Sequence, residues 1–241
     1  MNSKQGMITI YKNRGETPLE ALERSRTDEK MTYAGRLDPL AEGLLLVLIG
    51  EECKNKEKYL GLDKEYEVDV LFGFATDSYD ILGKVTNASE YKDVDTDIIQ
   101  SFVGKFSQKY PAFSSKTIKG KTLFSLFKKG ELKDEEIPEK EVEIKKIELI
   151  GERKMSKNDL EKYIRDSISL VSGDFRQAEI LEKWDEYLSS SKQENFNIVS
   201  IRVICTSGTY MRTLANSIGE KAGVSALAFG IKRKRIGEFK V

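Results

Sequence analysis

Residues 64–73, KEYEVDVLFG, alternate strictly: Tyr66, Val68, Val70 and Phe72 fall on one side, Glu65, Glu67 and Asp69 on the other. A period of two sends successive side chains to opposite faces, so this stretch predicts a half-buried strand. Ile198–Thr206 repeats the pattern through Val199, Ile201, Val203 and Cys205. Leu44–Ile49 is an unbroken apolar run, which predicts a strand buried on both faces. Met7–Tyr11 and Glu141–Ile150 predict further strands. Helices are expected from Pro18, with Thr17 as N-cap, over Thr96–Val103, and from Thr209 to about Lys221, with Thr209 as cap and Gly223 just past the end. In Ser156–Ser191, Leu160, Ile164, Ile168 and Val171 mark one amphipathic helix. Phe175, Ala178, Leu181, Trp184 and Leu188 mark a second, after Ser172-Gly173-Asp174. Strands interleaved with helices predict a mixed α+β fold on a largely antiparallel sheet, with a helical pair set into it at 156–191.

Length adds that the 241 residues suffice for one large domain or two small ones with a sizeable core, and a single domain over 1–241 is the expectation. The longest apolar run is far short of the roughly 20 residues that span a bilayer, and no signal segment opens the chain. Cys53 and Cys205 are far apart and neither begins a ligand-spaced cluster. A cytoplasmic protein without a membrane association is expected. The sequence holds no histidine. That removes Ser-His-Asp and Cys-His catalysis, histidine bases and nearly every catalytic zinc site, so metal-free chemistry on Asp, Glu, Tyr, Lys and Arg is favoured.

Charge is balanced, 40 basic against 40 acidic residues, but unevenly spread. Ser114–Lys133 holds Lys116, Lys119, Lys121, Lys128, Lys129 and Lys133 against Glu131 alone, and Lys232-Arg233-Lys234-Arg235 forms a second block. Lysine runs are most often solvated faces. Basic stripes also bind phosphates on a neutral protein.

The candidate chemistry centres on Gly35–Gly43, GRLDPLAEG. Pro39 fixes its own φ and pushes Asp38 into extended geometry, which holds a carboxylate rigidly at the mouth of the buried strand. An Asp-Pro pair more commonly just starts a turn. The whole nonapeptide resembles G-x-L-D-P-x-A-x-G-x-L, the signature of TruB-type tRNA pseudouridine-55 synthases. Lys64–Val68 resembles that family's K-x-Y-x-V strand. Gly73–Asp80 with Gly83 resembles its G-x-x-T-D-[ST]-x-D-x-x-G loop, Pro111–Gly120 its basic thumb loop, and Cys205–Thr213 its C-x-x-G-T-Y-[IM]-R-[ST] segment. The matches occur in the family's order and cover most of residues 6–239 apart from the helical pair.

The resemblance implies a pseudouridine-synthase-like fold with a central cleft, a thumb-like loop at 110–133, and an enzyme that isomerises one uridine of the tRNA T-arm. It needs no cofactor and no metal, and a monomer is expected. By the resemblance Asp38 attacks the nucleoside and Tyr66 and Arg212 complete the catalytic set. Tyr66 otherwise reads as an ordinary core tyrosine. A nucleophilic aspartate must be ionised, and Arg212 matches the arginine that favours that form. Substrate contacts are implied for Tyr33, Arg36, Lys64, Asp80, Lys116, Lys119, Lys121, Tyr210, Ile231, Lys232 and Arg233. Ile231 is equally well explained by core packing. Phe113, Phe124 and Phe127 interleave the loop lysines, where they can pack on an unstacked base. Within the helical pair, Lys162, Arg165 and Arg176 hint at RNA contact. The chain departs from the pattern in three places: Tyr33 stands for the family's usual histidine, Thr117 for a lysine, and a protein lacking the small C-terminal RNA-binding domain of many members is expected. A synthase for another RNA, a tRNA-folding chaperone, and a hydrolase with Asp38 as general base are the alternatives.

Overall fold

The alternating stretches become the centre of one large sheet. A computed structural model describes residues 6–90 and 95–240. In chain order the elements are β1 (Met7–Lys12), α1 (Pro18–Arg24), β2 (Met31–Ala34), β3 (Glu42–Ile49), α2 (Lys56–Leu60), β4 (Lys64–Phe72), β5 (Phe74–Thr76) and β6 (Val85–Ala88). They continue with α3 (Thr96–Gln100), β7 (Gly104–Lys109), β8 (Thr117–Ile118), β9 (Lys121–Thr122), α4 (Leu123–Lys128), β10 (Glu139–Ser156), α5 (Lys157–Ser169) and α6 (Gln177–Ser190). β11 (Asn195–Cys205), α7 (Met211–Ala222), β12 (Ala226–Ile236) and β13 (Phe239–Lys240) complete the chain. The main sheet runs β1-β3-β12-β4-β11-β10-β7, with β2 added to β3 and β13 to β12. Its pairs are antiparallel except β12 with β3, which run parallel over only Lys232↔Glu42 and Arg233↔Gly43. This is the expected mixed, largely antiparallel α+β architecture.

Side-chain parity then sorts the core. Tyr66, Val68, Val70 and Phe72 of β4 join Val199, Ile201, Val203 and Cys205 of β11 in one cluster, covered by α7 through Met211, Leu214, Ala215 and Ile218. The alternate positions Leu71, Ile198, Leu227 and Phe229 face the other way, onto Leu160, Ile164 and Ile168 of α5 and Ile180, Trp184 and Leu188 of α6. The helical pair therefore covers the opposite face of the sheet from α7. β3 is buried on both sides as expected: Leu44, Leu46 and Leu48 enter one cluster, Leu45 and Val47 another with Ala21 and Leu22 of α1. Thr17 caps α1 in a capping box with Glu20. Among the described residues no helix is long and apolar enough to cross a membrane.

Several boundaries differ from expectation. Tyr210, not Thr209, is the N-cap of α7, because the Thr209 hydroxyl instead donates to the Thr206 carbonyl at 2.9 Å. Helix α6 buries Ile180 and leaves Ala178 exposed, so its apolar face is Ile180, Trp184 and Leu188. The helix expected over Thr96–Val103 ends at Gln100. β10 runs to Ser156, past the predicted Ile150, since β11 supplies ladder partners along its polar end. The basic segment 110–133 is not a plain loop: it holds the β8–β9 hairpin and α4, capped by Thr122. The apolar Ile236, Phe239 and Val241 at the end of the chain also predict a strand over Ile236–Val241; there β12 ends and the short β13 follows, with Gly237 in left-handed geometry between them, and Val241 lies outside the described residues.

Candidate active site

Asp38 lies in the connection from β2 to β3, and that connection is held at both ends. Leu37 enters the core cluster under α7, while Leu40 enters the cluster under α5 and α6. The Ala41 amide donates to the Asp38 carbonyl at 3.0 Å, closing the turn that an Asp-Pro pair starts. Two buried cations collect several of the connection's other carbonyls. Lys12 donates to those of Asn13 (3.1 Å), Pro39 (3.0 Å) and Ala41 (2.5 Å). Arg233, 1% exposed, donates to those of Gly35 (3.1 Å), Arg36 (3.0 Å) and Leu44 (2.8 Å). Gly43 lets β12 come this close, since a β-carbon there would lie 2.3 Å from the Arg233 carbonyl oxygen. Burial pushes the Lys12 ammonium down to about 8, against the pull of Asp38 and Glu16.

Arg212 rises to meet this turn from the first turn of α7. Its Nη1 donates to the Ser78 carbonyl at 2.9 Å and its Nη2 to the Phe113 carbonyl at 3.1 Å. These bonds aim Nε at two carboxylates, 2.8 Å from Asp38 Oδ2 and 3.7 Å from Asp80 Oδ2. The Nε–H is not aligned for a hydrogen bond, so the contact is one of charge. Asp80 Oδ1 accepts from the Ser78 hydroxyl (2.6 Å) and the Leu82 amide (3.0 Å). Burial pushes its carboxyl up to about 6, opposed by Arg212 and Ser78. Arg212 is 3% exposed while the Asp38 side chain remains 38% exposed, so the carboxylate is the open end of the pair.

A cleft of about 400 Å³ opens above it, within the range that small-ligand sites occupy. Asp38, Asp80 and Arg212 share it with Arg36, Leu37, Pro39, Leu82 and Tyr210, and with Phe113, Phe124 and Lys128 of the basic segment. Tyr210 packs edge-on against Tyr110 at 5.5 Å, and burial pushes its hydroxyl up to about 12. An open carboxylate, a fixed guanidinium and aromatic walls suit a flat, neutral ring held beside a charged oxygen.

Of the predicted residues, Asp38, Arg212, Asp80, Arg36 and Tyr210 come together in the cleft. Tyr66 is 9% exposed and outside the lining; burial raises its hydroxyl above the usual tyrosine value, and it faces the Arg233 guanidinium, which bonds Asp38's own loop. Lys116, Lys119 and Lys121 are exposed on the basic segment; Lys116 sits over the Tyr110 ring, Lys119 pairs with Glu136 and Lys121 with Glu131. Five others lie elsewhere. Arg233 is buried among backbone carbonyls, and Lys64 likewise donates to the Leu60 and Leu62 carbonyls, both at 2.6 Å, so neither faces a phosphate. Lys232 points at Glu42 and lies over the Tyr11 ring. Ile231 is partly buried against the core cluster, and Tyr33 packs near Leu45 and Val47 with Lys56 over its ring, its hydroxyl accepting from Arg36 Nε at 3.4 Å.

Sequence reasoning missed Lys12, Ser78, Asp174 and Phe175; the last two line the cleft from the connection between α5 and α6, beside Arg176, which the sequence marked only as a hint of RNA contact. A lysine next to the turn after a predicted strand was the available signal for Lys12. Nothing local signals Asp174 and Phe175 as cleft residues. Among the described residues, no group of three or more His, Cys, Asp or Glu is placed to hold a metal ion.

The layered sheet with a carboxylate–arginine cleft defines a class. The fold is that of a solved Cbf5-Nop10-Gar1 complex, matched with a TM-score of 0.58 over 98% of this chain and 50% of that one, at 20% identity. A family model described as TruB family pseudouridylate synthase (N terminal domain) matches residues 23–167. The tRNA pseudouridine synthase B of Aquifex aeolicus is 30% identical over 242 residues, covering 98% of this chain and 70% of that protein. Its counterpart in Thermosipho melanesiensis is 30% identical over 243 residues, covering 98% and 65%. The chain belongs to the TruB family of pseudouridylate synthases, and it spans about two thirds of the length of these relatives.

Proposed function

We propose that the protein isomerises a uridine in the T-arm of tRNA to pseudouridine, acting as a monomeric catalytic unit in the cytoplasm without cofactor or metal. One observation carries the mechanism: Asp38 is the exposed member of a charge contact whose other member, Arg212, is immobilised by two backbone carbonyls. The uridine must first leave its stack, at a cost of a few kcal/mol. Phosphate contacts from Lys116, Lys119 and Lys121 offset that cost. The acids that pair with Lys119 and Lys121 are themselves surface groups, and solvent screens such pairs, so a phosphate displaces them readily. Phe113 and Phe124 pack against the extruded nucleotide. Asp38 attacks it, the glycosidic bond breaks, the base turns and is rejoined through carbon as the bond to Asp38 is released, the proton on that carbon is lost and the freed ring nitrogen takes one up, so the product is an isomer of the substrate. Tyr66, kept protonated by burial, supports the Asp38 loop through Arg233.

The test incubates an unmodified tRNA transcript with wild type and with Asp38→Asn, and maps pseudouridine chemically. The expected outcome is product in the T-arm with wild type alone, while the variant still binds RNA. Product at another position assigns a different RNA site. Binding without product in either protein supports the chaperone reading.

A further inference from the structure

The two inserted helices do more than cover the sheet. Their connection, residues 170–176, comes round to the mouth of the cleft, where Asp174, Phe175 and Arg176 stand beside Asp38 and Asp80. Arg176 is the N-cap of α6 with its backbone at φ 63°, a left-handed conformation that a residue with a β-carbon seldom adopts. Its side chain makes two contacts there. The guanidinium chelates Asp77, Nη1 to Oδ2 at 2.8 Å and Nη2 to Oδ1 at 3.3 Å, with the side chains only 12% and 11% exposed. Its carbon centre also lies 4.5 Å from the centroid of the Phe113 ring. Next to it, Lys128 of α4 pairs with Asp174 at 2.9 Å.

Asp77 and Phe113 belong to the two segments that Arg212 already holds. Arg212 bonds the carbonyl of Ser78, the neighbour of Asp77, and the carbonyl of Phe113 itself. Two arginines thus clasp the same pair of segments, one through backbone at the floor of the cleft, one through side chains at its rim. The rim contact needs a guanidinium, because a planar fork can chelate a carboxylate and lie on a ring at once, whereas an ammonium cannot.

We propose that Arg176 is a positioning residue for the uridine reaction: by fixing the basic segment against the Asp77–Asp80 turn it sets the orientation of Arg212 over Asp38. The proposal rests on the uridine-isomerase reading. Without Arg176 the lysines of the segment still meet RNA, but the reacting groups lose their register, and small misplacements cost rate steeply. Arg176→Lys, Arg176→Ala, Asp77→Asn and the Asp77→Asn/Arg176→Ala pair are compared with wild type in single-turnover rate, tRNA affinity, thermal midpoint, and hydrogen exchange of residues 110–133 in the free protein.

The rate is expected to fall about tenfold in both Arg176 variants, with affinity within about threefold and faster exchange in the basic segment. The double variant is expected to be no worse than the singles, as for one shared contact. Normal rate and normal exchange in Arg176→Lys overturn the proposal, as does a rate loss accompanied only by a lower thermal midpoint. Wild type without product overturns the isomerase reading and the catalytic part of this one, while exchange in the variants still decides whether Arg176 holds the segment.

Discussion

Asp80 is the residue whose charge depends most directly on its surroundings. Burial lifts its carboxyl from the ordinary 3.8 to about 6, while Arg212, Ser78 and the Leu82 amide pull the other way and Asp38 adds to the rise. The folded protein therefore takes up this proton well before the unfolded chain does. The group's contribution to folding is fully present below about pH 3.8 and is lost as pH rises through about 6, a swing of about 3 kcal/mol at 1.36 kcal/mol per pKa unit. Relative to Asp80→Asn, wild type should gain thermal stability as pH falls from 7.5 to 4.5; parallel melting curves across that range would contradict the assignment. Asp38, Asp80 and Arg212 were legible because each sits in a motif with its neighbours. Which cations are buried was not. Lys232, Arg233 and Lys234 look equivalent as a string, yet on a strand they alternate, and Arg233 alone of the three turns inward.

At the level of elements, that alternation matters because β12 itself was not foreseen. Its first half, Ala226–Phe229, is apolar without a period, since Ala226 and Ala228 enter one core cluster and Leu227 and Phe229 the other. Its second half reads as a phosphate-binding block. The strands with one solvated face, β4 and β11, were legible for the converse reason: one-sided burial writes a period of two. The helical pair was visible through its i, i+4 spacing, but the reach of its connection into the cleft depends on tertiary placement alone. Burial of Arg233 predicts a structural role in place of phosphate binding. Arg233→Met would leave the Gly35, Arg36 and Leu44 carbonyls without donors and should cost about 2–5 kcal/mol of stability, measured by urea denaturation. The salt dependence of RNA binding should stay unchanged, whereas loss of a phosphate contact would lower its slope by about 1.

For the molecule as a whole, the cleft is assembled from distant parts of the chain: Asp38 from before β3, Asp80 from after β5, Phe113 from the basic segment and Arg212 from α7. The short parallel pairing of β12 with β3 takes on a meaning here. β1, β2 and β3 form a block that bears Asp38, while the remaining strands and α7 bear Arg212. Between the blocks the ladder has just two residue pairs, reinforced by the Arg233 bonds. The Asp38–Arg212 contact lies astride the molecule's seam. Warming should part that seam while each block keeps its own helices and ladders, as the least supported unit opens first. Turnover is then expected to vanish at a lower temperature than far-UV circular dichroism, with coincident midpoints as the contrary result. On that expectation the seam acts as a fuse: activity is lost when the two blocks part, before the architecture that supports them has melted.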